Sequence, residues 1–182
     1  FNFITAIVID TDDNFLYVSD NDTITDRCLI RKISTVTREV TTLFDSDQNT
    51  TVNFSNITAL AIDPFSSYLL IADTNRLYKL DLLSNDELNL IQGNIELISG
   101  APDNTPGNVD APNDGLINAR FNNIGGIFID YNNEFALISD TGNHVIKKLY
   151  IKNFVNPTIL TLTGGASSAQ DTPEGASDGL PV

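Results

Sequence analysis

The chain has 182 residues, of which 41% are hydrophobic, with ten Phe and five Tyr, enough apolar side chain to build a core. Its 24 acidic and 10 basic residues give a formal net charge of -14, a surface that repels phosphate backbones and anionic lipid heads and so argues against nucleic acid as a partner. No apolar run approaches the roughly 18 residues of a membrane helix, so direct membrane insertion by a helix is not expected.

The chain opens on β-rich runs separated by Asp, Asn and Thr turns. Ile4 to Ile9, Phe15 to Ser19, Cys28 to Ile33 and Val40 to Phe44 read as four strands. A second set follows at Thr58 to Ile62, Tyr68 to Ala72, Arg76 to Leu80 and Ile95 to Ile98, with a polar insertion from Ser84 to Gly93. The third set is Gly126 to Ile129, Phe135 to Ser139, Val145 to Tyr150 and Thr158 to Leu162. No helix of useful length is predicted.

The three sets begin with the same phrase: ITAIVIDTDDNFLYVSDND (Ile4 to Asp22), ITALAIDPFSSYLLIADTN (Ile57 to Asn75) and IGGIFIDYNNEFALISDTG (Ile124 to Gly142). Each is an apolar run ending in Asp, a polar turn, and a second apolar run ending in a second Asp. Asp10 thus goes with Asp20, Asp63 with Asp73, and Asp130 with Asp140. Four antiparallel strands repeated at this spacing are the blade of a β-propeller. The expected fold is all-β, with about three blades at 3–44, 57–99 and 124–163. Three blades cannot close a ring, since propellers typically need about four to eight.

The third unit, from Asp114 to Leu149, resembles the repeat of the NHL-repeat β-propellers. It has a Gly-containing lead-in loop, Ala and Phe before the first strand, Asp-Thr-x-Asn-His (Asp140 to His144), and then Val145 and Ile146 with basic residues. The second unit keeps Asp73 to Leu77 without the Gly; the first keeps only Asp20-Asn21 before a longer hairpin. The resemblance implies that Asp20, Asp73, Asp140 and Asn143, with His144, belong to a structural turn. Residues 164–182 repeat the lead-in pattern of Gly100 to Asn118, as though a further blade followed. With no Met anywhere and an apolar run at Phe1, the chain reads as part of a longer or processed polypeptide.

Asp10, Asp63 and Asp130 are placed to accept hydrogen bonds in the hairpin turns they open, and Asp20, Asp73 and Asp140 in the turn that follows each second strand. Two oxygen-rich loops, Asp12 to Asn14 and Asp45 to Asn49, are expected to be solvated turns; the second lacks the Gly and Glu of a calcium loop. His144 is the single histidine, too few for a zinc site. Cys28 reads as a small buried hydrophobe. Gly125-Gly126 opens a strand, not a helix, and is no phosphate loop. No G-x-S-x-G elbow is present.

Asn21, Asn49, Asn53 and Asn56 each satisfy the N-glycosylation rule, three of them in the loop between the first two blades. This clustering predicts N-linked glycans and an extracellular or cell-surface location. The expected function is a noncatalytic structural or interaction module, with protein, glycan, or other domains or copies of the same polypeptide as partners and no cofactor. The alternative is a metal-dependent propeller lyase or lactonase-like hydrolase whose ligands lie in other blades. Ile7, Ile9, Leu60, Ile62, Ile127 and Ile129 are predicted to pack between blades.

Overall fold

The computed structural model describes residues 1–22, 24–49, 52–82, 95–111, 118–152 and 158–165. They form three four-stranded antiparallel sheets, each made of strands consecutive in sequence. Blade 1 holds β1 (Phe3–Ile9), β2 (Phe15–Asp22), β3 (Arg27–Ser34) and β4 (Val40–Asp45). Blade 2 holds β5 (Ile57–Ile62), β6 (Tyr68–Asp73), β7 (Arg76–Asp81) and β8 (Ile95–Ser99). Blade 3 holds β9 (Ile124–Ile129), β10 (Phe135–Asp140), β11 (Val145–Tyr150) and β12 (Thr158–Gly164). This is the all-β blade architecture that the sequence predicts. The insertion from Ser84 to Gly93, part of the lead-in loop before blade 3, and the final lead-in beyond residue 165 lie outside the described residues.

The repeat holds down to single residues. In every first hairpin the register skips one position, Thr5, Thr58 or Gly125, just after the first strand begins. Such a bulge bends and twists a strand locally. The three first strands lie side by side, with β5 touching both β1 and β9. Each sheet then runs outward from this shared row.

Because side chains alternate along a strand, every blade has two faces. The upstream face of blade 2 carries Leu60, Leu69, Ile71, Tyr78 and Leu80, and it packs on Tyr17, Ile30, Leu43 and Phe44 of blade 1. Phe54, from the connecting loop, stacks between Phe44 and Tyr78, with ring centroids 4.6 and 5.0 Å away. The downstream face of blade 2, including Ala59, Ala61, Tyr68 and Leu70, packs on Ile129, Ala136, Ile138 and Leu149 of blade 3. Two interlayer cores therefore hold the three sheets.

One part of the predicted packing is corrected. Leu60 and Ile129 are buried in the interlayer cores, and Ile62 and Ile127 are partly buried against them, but Ile7 is 59% and Ile9 43% exposed. These two occupy the same register positions as Leu60 and Ile62. They sit, however, on the upstream face of blade 1, which no described sheet covers.

Candidate interaction surfaces

The first Asp of each repeat organises its hairpin. Asp10 Oδ1 accepts the N–H groups of Asn14 (2.7 Å) and Phe15 (2.9 Å). Asp63 Oδ1 takes those of Ser67 (2.5 Å) and Tyr68 (2.8 Å), and Asp130 Oδ1 those of Glu134 (2.6 Å) and Phe135 (2.8 Å). The third turn residue, Asp13, Ser66 or Asn133, has a positive φ of 53 to 58°. Short polar side chains tolerate that region best. Burial pushes the Asp130 carboxyl up, but the N–H groups of Phe135, Glu134 and Asn132 outweigh it and hold the group below the ordinary range.

The second Asp works differently from the expectation. Its Oδ1 takes backbone N–H groups from the segment before the first strand of its own blade, not from the backbone of the next turn. Asp20 Oδ1 accepts Asn2 N–H (2.6 Å); Asp73 Oδ1 accepts Ser55 and Asn56 N–H (2.8 and 2.7 Å); Asp140 Oδ1 accepts Asn122 N–H (2.7 Å). The other oxygen of Asp73 pairs with the Arg76 guanidinium, and that of Asp140 accepts Asn143 Nδ2 (2.7 Å). All three acids are buried. Burial pushes the Asp73 and Asp140 carboxyls above their ordinary value despite these donors. Each staples the lead-in chain to the end of the second strand.

The four sequon asparagines fall in unlike places. Asn21 is 3% exposed, and its Nδ2 donates to Asn56 Oδ1 (2.9 Å) and Ile57 O (2.9 Å), tying blade 1 to the start of blade 2. The nitrogen that would carry a sugar is thus buried in a bridge, which corrects Asn21 as an acceptor. Asn75 makes the matching tie to blade 3, its Oδ1 accepting Asn123 N–H (2.8 Å). Asn49 is half-buried and accepts Val52 N–H (2.8 Å). Asn56 is exposed but holds Asn21, whereas Asn53 is exposed and its side chain enters none of the described hydrogen bonds. Thr23, Thr50 and Thr51, the partners of the Asn21 and Asn49 sequons, lie outside the described residues.

Other singled-out residues are built into the frame. His144 is exposed in a left-handed conformation (φ 57°), and its N–H caps the short turn Thr141–Asn143. Cys28 is 2% exposed, and burial pushes its thiol up to about 11. Asp45, of the candidate calcium loop, is buried and paired with Arg27 (2.5 Å), whose guanidinium holds the carboxyl below its ordinary value. Gly125 and Gly126 lie in β9, where a Cβ on Gly125 would collide with Thr141 Oγ1.

A further repeat emerges only in the folded chain. Lys32 lies 3.8 Å from the Phe15 ring centroid, Lys79 5.4 Å from that of Tyr68, and Lys148 4.0 Å from that of Phe135. All three pairs sit at matching positions on downstream faces, where cation–π attraction holds the lysine stem on the sheet. Beside the first pair a groove of about 260 Å³ runs between blades 1 and 2, walled by Phe15, Tyr17, Leu43, Leu80 and Leu82.

Among the described residues two sheet faces are covered by no other sheet. The upstream face of blade 1 exposes Ile7, Ile9 and Val40, and the downstream face of blade 3 exposes Phe128, Tyr150, Leu160 and Leu162.

No protein-family model and no curated protein matches the chain. Among solved structures it is similar to a structural genomics protein of unknown function from Bacteroides thetaiotaomicron, at 18% identity and a TM-score of 0.64, covering 92% of this chain and 37% of that one. It is also similar to an auxiliary nutrient binding protein from the same organism, at 12% identity and a TM-score of 0.59, covering 91% and 49%. A third likeness is to the Cps50 (Swd1) β-propeller domain of Myceliophteria thermophila, at 17% identity and a TM-score of 0.50, covering 88% and 43%. The chain thus spans less than half the length of these structures. At such identities the likeness concerns the fold alone, and with three four-stranded blades in hand the fold is that of an incomplete β-propeller.

Proposed function

We propose that the chain is a noncatalytic structural or interaction module of the NHL-repeat type, part of a larger secreted or cell-surface glycoprotein. The observation that carries it is the use the fold makes of the repeated acids, all six of them buried. Asp10, Asp63 and Asp130 hold hairpins and Asp20, Asp73 and Asp140 hold lead-in segments, so their carboxylates serve the frame. The surface side of the function lies in faces and loops.

The extracellular part of the proposal rests on the loop before β5. Asn53 is the acceptor best placed there, exposed on a loop, and loops carry most surface modification. Intact-glycopeptide mass spectrometry of the protein from its own source is expected to find sugar on Asn53 and none on Asn21. Bare asparagines at 49, 53 and 56 would overturn the location. Turnover of lactones in the presence of divalent cations would overturn the noncatalytic role.

A further inference from the structure

The two junctions between blades differ at their outer rim. The lead-in of blade 3 runs from 100 to 123, that of blade 2 only from 46 to 56. Both end alike, with a buried phenylalanine three positions before the first strand, Phe54 and Phe121. The longer one does more. Ala111 N–H donates to Ile159 O (3.0 Å) and Ile159 N–H to Ala111 O (3.2 Å), so the segment lays one rung of a fifth strand on the outer edge of β12. Ala111 is buried with Ile151 and Ile159 in the core between blades 2 and 3, while Asp110 pairs with Lys147 (2.7 Å) and accepts Thr161 N–H (2.7 Å). Blade 2 has the same edge without the added rung. Ile95 faces Leu80 as Ile159 faces Leu149, so its outward N–H and C=O stand where those of Ile159 meet Ala111. Among the described residues none pairs with the outer side of β8. Beside it opens the groove of about 260 Å³ walled by Phe15, Tyr17, Leu43, Leu80 and Leu82. Leu82 matches Ile151, their N–H groups donating to Ser67 O and Glu134 O (2.8 and 3.0 Å), so the groove lies where Ala111 fills the other junction.

We infer that the outer edge of β8 takes an extended peptide of a partner protein as a fifth strand, with an aliphatic side chain in the groove and a basic residue next to it. This rests on the interaction-module reading and names the chemistry of its partner. An unpaired strand edge is a template for a further strand; in such additions main-chain hydrogen bonds give the affinity and a side-chain pocket selects the sequence. The basic residue follows from charge. Asp110 of the lead-in meets Lys147, but in blade 2 that register position is held by Tyr78, which offers no cation. Glu39 and Asp81 line the groove, and Glu96 borders the adjoining depression, which shares Asp81. The lysines of the same rim, Lys32 and Lys79, lie over the Phe15 and Tyr68 rings. On a chain of net charge -14 this rim selects Lys or Arg over Asp or Glu.

Amide NMR of the full chain titrated with the peptide acetyl-Asn-Val-Lys-Leu-Pro-amide tests this. The peptide copies residues 108–112, with Lys in place of Asp110 and Leu in place of Ala111. Saturable shifts are expected at the amides of Ile95–Ser99 and of Thr41, Thr42 and Leu43, which border the groove. N-methylation of the peptide leucine removes the donor that Ala111 supplies to Ile159 and should abolish binding. Asp in place of the peptide lysine should weaken it roughly tenfold. Glu96→Lys alters an exposed side chain on β8, so the variant should keep its circular dichroism while the preference for the lysine peptide shrinks. Shifts that do not saturate, shifts centred away from β8, or equal binding of the N-methylated peptide would each overturn the proposal. The module reading would survive any of them, since it falls to lactone turnover or to bare asparagines instead.

Discussion

The carboxylates show how much work single side chains do in this fold. Asp73 is fully buried, accepts two backbone N–H groups and pairs with Arg76, itself 9% exposed. Removing it leaves two amides without their acceptor and the guanidinium without its counter-charge, bonded only to Pro102 O, Asn53 O and Ser55 Oγ, and losing one partner of a buried pair typically costs about 3–5 kcal/mol. Asp73→Ala should therefore lower the urea midpoint sharply, far more than Asp12→Ala in an exposed turn. A variant with the midpoint of the parent would show that Arg76 finds water instead. Asp130 adds a pH signature. Its folded value lies below the ordinary one, so its contribution is present above the unfolded value of about 3.9 and is lost as pH falls through the folded value. Asp130→Asn should flatten the fall of stability in acid, measured by urea unfolding at neutral pH and near the carboxylate range. Buried Asp73 and Asp140 pull the opposite way, their raised values favouring the folded state as the solution becomes more acid.

The residue scale also marks the limit of what the sequence discloses. A turn closes over four or five residues, so the role of Asp10, Asp63 and Asp130 follows from local spacing. The lead-in residues held by Asp20, Asp73 and Asp140 lie 17 or 18 positions earlier, where only the folded register brings them near. The Lys and aromatic pairs are hidden for the same reason: Phe15 to Lys32, Tyr68 to Lys79 and Phe135 to Lys148 are unequal spacings because the second hairpins differ in length. Asn21 satisfied the sequon rule, yet nothing in three letters tells that its amide is bridged to Asn56.

At the scale of elements, alternation and β-branched content locate every strand, with the ends shifted by a few residues. Blade 1 shows the reason: pairs Asn21 with Cys28 and Asp22 with Arg27 carry the ladder into residues whose composition signals a turn. Which face is covered is another matter, because the pattern of Ile7 and Ile9 equals that of Leu60 and Ile62 and only the neighbour differs. Ile129 is the informative contrast. It is 6% exposed in the core between blades 2 and 3, so Ile129→Asp buries a charge and should unfold blade 3, seen as a loss of the cooperative transition and of strand signal. Thermal stability equal to the parent would break the register assigned here. Strand ends carry their own constraint at Gly100, where φ is +96° and a Cβ would strike the Asn75 carbonyl. Gly164 repeats this geometry against His144. Gly100→Ala is expected to cost more than about 1 kcal/mol, since both the conformation and the contact exclude a side chain.

For the whole molecule, sheets stacked in series make stability depend on the number of neighbours. Among the described residues each blade packs on its sequence neighbours through the two interlayer cores, the arrangement in which stability is a sum of unit and interface terms. Blade 2 owns two interfaces, and all six residues of β6 are buried; blades 1 and 3 own one each, and β1 and β12 are mostly exposed. Amide hydrogen exchange should follow this order. In dilute solution the amides of Tyr68–Asp73 should exchange only through global unfolding, those of Phe3–Ile9 and Thr158–Gly164 through cheaper local opening. If β1 exchanges as slowly as β6 at high dilution, blade 1 is held by something other than its contact with blade 2.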